Sequence, residues 1–169
     1  RQMCIETGFV LAWTTAVPTF VFVYLRTFPK LPTSFAATAW IPLGLVGQST
    51  AAAQLLAGDQ WRLRAAVYGA AMLSLGVPLA VYAITKHWGA VLGSTPMSYN
   101  PSWWGSTFPV GTCCLGTHAL STQSTPLSWN VEWLDTVSAA LLILLLVHVM
   151  WATLGAAAIT WRRTRSSYR

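Results

Sequence analysis

WWGSTFPVGTCCLGTHAL, residues 103–120, decides how this chain is to be read. It begins with an indole pair and continues into a mostly apolar run. Phe108 sits directly before a helix-distorting proline, Pro109. Small residues follow at Gly111, Thr112, Cys113, Cys114, Gly116 and Thr117, and His118 lies deeper. A helix that only faces lipid needs none of this, because leucine and isoleucine would serve. A thin-walled, bent span carrying one bulky aromatic fits part of a pore or a packed seam.

Composition sets the class. The 169 residues are 54% hydrophobic and 8% charged, where soluble domains carry roughly 25% charged residues. Long apolar stretches with aromatic residues at their ends fit an all-α, polytopic helical membrane protein. The net charge of +6 does not point to nucleic acid, because the basic residues lie at span ends and form no patch with interleaved aromatics. The chain opens on Arg1, without a leader's charged, apolar and cleavage regions, so it reads as a piece of a longer protein or one processed at its start.

Working outward from residues 103–120, five spans can be drawn in one transmembrane domain covering residues 1–169. They run over about 3–25, 36–56, 63–85, 103–121 and 135–160, each near the ~20 apolar residues that cross a bilayer. Pro18, Pro42, Pro78 and Pro109 fall inside them, so kinks are expected there.

Charge placement orients the spans. Five crossings put the termini on opposite sides. The side of the C-terminus carries Arg26, Lys30, Lys86, Arg162, Arg163, Arg165 and Arg169 and no acidic residue. The other side carries Arg1, Arg62 and Arg64 with Glu6, Asp59, Glu132 and Asp135. This bias places the C-terminal tail, residues 161–169, in the cytoplasm of a multi-pass plasma-membrane protein. The tail reads as a stop-transfer cluster anchored at anionic headgroups. No full charge is buried in this arrangement.

The tryptophans mostly fall near the expected interfaces, where an aromatic belt accounts for them. Cys4, Cys113 and Cys114 form neither a disulfide framework nor a metal pattern. His118 and His148 are expected to make interhelical hydrogen bonds, with His87 in a loop. A haem reading is disfavoured, since axial ligands need facing rings at one depth. No catalytic motif or paired intramembrane carboxylate is present, so neither an enzyme nor a cofactor or metal site is expected.

The polar residues at depth are Gln48, Ser49, Thr50 and Gln54 in the second span, Thr112, Thr117 and His118 in the fourth, and His148 in the fifth. Proton pumps and cation paths usually place a carboxylate there. Hydroxyls, amides and backbone N–H groups suit an anion or a neutral solute instead.

SWWGSTFPVGT at residues 102–112 resembles the ninth-helix motif of the tellurite-resistance/C4-dicarboxylate transporter family. This family includes malate permeases, sulfite efflux pumps and slow anion channels. LPTSFAATAWIPLGLVGQSTAA at residues 31–52 is similar to its seventh helix, and one plain helix separates the two stretches. Together they cover about a quarter of the chain. Gln48 and the adjacent cysteines depart from several members, so the resemblance does not carry over a substrate.

The resemblance implies that the five spans correspond to helices six to ten of a ten-helix, five-hairpin pore fold. That fold assembles as a homotrimer with one pore per subunit, lined by the odd-numbered helices, which are the second and fourth spans here. It implies that Phe108 is the gate, at the bend made by Pro109. Gly44, Gly47, Gly111 and Thr112 would line or shape the path, with Gln48 offering a polar contact. The expected function is transport of a small anion or organic acid across the bilayer. The alternative is a non-conducting structural or partner subunit.

Overall fold

Among the described residues, five α-helices stand where five apolar spans are expected: α1 (Gln2–Thr27), α2 (Ile41–Leu56), α3 (Arg62–Gly93), α4 (Thr107–Ser124) and α5 (Trp133–Ser167). The computed structural model describes residues 2–27, 30, 33–93, 99–124 and 131–167. Arg1, Trp129 and Arg169, and the side chains of Cys4 and Glu6, lie outside what it describes. Among the described residues there is no strand. Two helical stretches, Asp59–Gly93 and Trp133–Arg165, are long and apolar enough by themselves to cross a membrane.

The second and fourth spans are built differently. Each opens as a 3₁₀ segment, Thr33–Trp40 and Pro101–Ser106, and continues as an α-helix. At 1.5 Å per residue, the 16 residues of α2 reach only about 24 Å, short of the ~30 Å hydrocarbon core. The eight-residue 3₁₀ segment before it adds about 16 Å.

The prolines of the second and fourth helices both lie in a first turn. Pro42 sits at the start of α2, and Pro109 is the third residue of α4. The first four N–H groups of a helix have no internal acceptor, so a proline there removes no bond. Pro109 therefore lies in the first turn of α4, just after the backbone changes geometry at the Ser106–Thr107 junction. Pro18 and Pro78 do lie inside α1 and α3.

α2 and α4 make the most extensive helix contact. They run in the same direction, because successive contacts rise along both: Gly44 meets Phe108, Gly47 meets Cys113 and Thr50 meets Gly116. α3 packs on α2, and α5 on α4. The core between these layers holds Trp40, Leu43, Ala83, Val110 and Cys113. Cys113 Sγ donates to the Leu43 carbonyl at 3.2 Å, and Cys114 Sγ to Ser138 O of α5 at 3.4 Å. Both thiols are free and tie the inner helices to their neighbours.

Three expectations are corrected at one end of the bundle. α3 runs to Gly93, past the expected end near Thr85, so His87 lies on a helix. Lys86 does not stop it, because its side chain stays exposed with the ammonium 5.8 Å from the Tyr82 ring centroid. His87 is buried and faces buried His148 of α5 at 5.3 Å between ring centroids. Trp40, assigned to an interfacial belt, is 1% exposed and donates from Nε1 to His87 Nδ1 at 3.0 Å. That bond leaves the hydrogen of His87 on Nε2, so this ring presents a donor and not a lone pair.

His148 makes no interhelical hydrogen bond. Neither of its nitrogens has a partner among the described residues, and its contacts are with rings, Trp40 at 4.9 Å and Trp88 at 5.5 Å. Trp103 stacks on Trp151 nearby at 6.1 Å. Trp61, Trp133 and Trp161 are exposed. Arginine guanidinium groups lie over two of them, Arg64 on Trp61 and Arg165 on Trp161. His118 meets Asp135 across the α4–α5 contact, Nδ1 to Oδ1 at 3.4 Å.

Candidate functional site on the open face of the inner helices

Glycine sets how closely α2 and α4 approach. A Cβ added at Gly47 would fall 2.3 Å from the Cys113 backbone nitrogen and 2.6 Å from the Thr112 carbonyl oxygen. One added at Gly116 would fall 2.6 Å from the Gly47 carbonyl oxygen. Backbone therefore lies on backbone at this crossing, as small residues permit in membrane helix pairs. Thr112 is buried in the same seam and donates its hydroxyl to the Pro109 carbonyl at 2.9 Å.

One side of the pair is packed and the other is open. On the packed side, Leu43, Val46, Val110, Cys113 and Thr117 look toward α3 and α5 and border an apolar cavity of about 360 Å³. This cavity lies behind the pair, away from Phe108. On the open side, Ile41, Gln48 and Leu55 of α2 and Phe108, Leu115 and Thr122 of α4 are exposed. Each set repeats every seven residues, two helical turns, and so forms one stripe.

Phe108 projects from this open side, 65% exposed. Its ring lies over Gly44, where a Cβ would meet Cε1 at 3.4 Å and Cδ1 at 3.6 Å. Pro109, buried beneath it, would be 3.7 Å from the same Cβ. Gln48, one helical turn beyond Gly44, shares its side of α2 and has an exposed amide. Four of the expected residues thus come together: Phe108, Pro109, Gly44 and Gln48.

The others sit elsewhere on the two helices. Gly47 and Thr112 lie in the α2–α4 seam. Gly111 turns toward α5, where an added Cβ would be 3.5 Å from Leu145 Cδ2. Their place is between helices, so they fix the spacing of the walls.

Residue-type reasoning missed Ile41, Leu55, Leu115 and Thr122. The seven-residue spacing counted from the residue before each proline was the signal that could have found them. Four of these six open-side residues are apolar, and Gln48 and Thr122 are polar. Among the described residues none of the six is ionisable, so they offer no fixed charge to hold an ion.

A family model described as a voltage-dependent anion channel matches residues 3–154. No curated protein and no solved structure matches the chain.

Proposed function

Because the chain belongs to the voltage-dependent anion channel family, which the 102–112 motif resembles, we propose that it forms part of a path for a small anion or organic acid, gated by Phe108. The observation that carries the reading is the Phe108 ring, projecting from the open side of α2 and α4 over a position with no side chain. A bulky ring on an uncharged, uncovered helix face has the form of an apolar constriction, which blocks ions by excluding their hydration water. The lack of a carboxylate or ammonium on this face suits passage over retention.

In this proposal all five helices cross the membrane as counterparts of the family's helices six to ten. The 3₁₀ segments complete the spans of the two shorter helices. α2 and α4 line the path, and α3 and α5 form an outer layer. The basic end of α5, with Arg162, Arg163 and Arg165, lies in the cytoplasm of a plasma-membrane homotrimer. Transport is the role, with no enzymatic step. The polar contact nearest the gate along α2 is the Gln48 amide, which can donate to chloride, nitrate, sulfite or a dicarboxylate alike.

The test is an anion-substitution series on the full-length protein in liposomes, comparing chloride, nitrate, sulfite and malate. Faster flux of at least one anion than in protein-free liposomes supports the path. No flux of any of them, with or without the Phe108 ring, would favour a non-conducting structural subunit.

A further inference from the structure

The two inner spans are copies of one pattern. Ile41-Pro42-Leu43-Gly44 opens α2, and Phe108-Pro109-Val110-Gly111 opens α4. Each is entered from a 3₁₀ segment. With the second span shifted by 67 residues onto the fourth, burial repeats at many positions, though buried Ala51 falls on exposed His118. Pro42 and Pro109 are buried, as are Leu43 and Val110, Val46 and Cys113, Ser49 and Gly116, Thr50 and Thr117, and Gln54 and Ser121. The exposed positions repeat too, Ile41 with Phe108, Gln48 with Leu115, and Leu55 with Thr122.

The helices touch at a slightly smaller offset. Gly44 meets Phe108, Gly47 meets Cys113, and Thr50 meets Gly116. These pairs differ by 64 to 66 residues, one to three short of the repeat, so equivalent positions are displaced by only about 1.5–4.5 Å along the pair. The open side is therefore a ladder of three rungs. Successive rungs are seven residues apart, or about 10.5 Å. The rung at the mouth holds the equivalent positions Ile41, 50% exposed, and Phe108, 65% exposed. The next pairs Gln48 with Leu115.

We propose that Ile41 is the second wall of the constriction: the Ile41 and Phe108 side chains together form the apolar collar, and Ile41 sets how far it closes. This rests on reading the open side as the permeation path. A β-branched side chain at the first turn of a helix has few rotamers, and a proline beside it holds the local backbone. Ile41 is thus a fixed surface facing the larger aromatic ring. The Ile41 side chain adds apolar surface to that of the ring, so the two together exclude more water than Phe108 alone.

The test uses the full-length protein in potassium chloride-loaded liposomes, with chloride efflux as the readout and Leu75→Ala, exposed on α3, as the control. Because rate depends exponentially on the barrier, Ile41→Ala is expected to raise efflux about threefold and Phe108→Ala about tenfold. The double variant should exceed either, Ile41→Phe should cut efflux to about a third, and Leu75→Ala should leave it unchanged. If Phe108→Ala opens the path while Ile41→Ala and Ile41→Phe match the wild type, Ile41 is no part of the collar and the path reading stands. If neither position changes efflux, the path reading itself falls. Should Ile41→Ala elute as aggregate, Ile41→Val, smaller by one methylene, decides the matter by the direction of its effect.

Discussion

The ring of Phe108 rests against the bare backbone of Gly44, so closely that a side-chain carbon there would stand 3.4 Å from Cε1. The two residues are on different helices, 64 positions apart in sequence. The contact keeps the ring leaning on the α2 wall and leaves it free on its outer side. Any side chain larger than a methyl at residue 44 must push the ring off that wall.

Gly44→Ala is therefore tolerated, since 3.4 Å is ordinary van der Waals contact. Gly44→Val forces the ring outward over the open side and is expected to slow anion flux severalfold, with overpacking cost on the order of 1–3 kcal/mol. Flux and melting temperature measured on the same preparations separate a displaced ring from a damaged fold.

Gly47→Ala has a harsher outcome. Its Cβ would collide with backbone atoms of Thr112 and Cys113, which move only if α2 and α4 separate. Loss of a monodisperse peak on size exclusion, or a fall in melting temperature matching several kcal/mol, is expected. Gly58→Ala, with nothing within 4 Å, is the matched control and should behave as wild type.

Much of this fold is legible in the sequence, and the parts that are not share a cause. Apolar runs bounded by charged residues locate the five helices among the described residues, because a long apolar run meets its backbone hydrogen bonds internally as a helix. The same reasoning misplaced His87, because Lys86 looked like the end of a span. A lysine on a helix can direct its ammonium outward while the helix continues, and Lys86 does this. Trp40 was assigned to the membrane interface by composition, although burial depends on which helices meet around it. At the site, Phe108, Gly44 and Gln48 lie together on the open side, whereas Gly47, Gly111 and Thr112 are turned between helices. Small residues mark close approach and open lining equally well, and only the relative rotation of α2 and α4 separates the two.

The Trp40–His87 bond gives a further stability test. Trp40→Phe keeps most of the buried ring and leaves His87 Nδ1 without its donor. The expected destabilisation is about 1–3 kcal/mol, read as a lower melting temperature in detergent. Because Trp40 faces the packed side of the bundle, anion selectivity among correctly folded protein should not change.

The most direct measurement is the anion flux of full-length Phe108→Ala in liposomes, beside wild type of matched orientation and protein content. Removing the ring should raise flux about tenfold, corresponding to a barrier lowered by about 1.4 kcal/mol. Unchanged flux in a properly folded, correctly inserted variant would contradict the assignment of Phe108 as the gate.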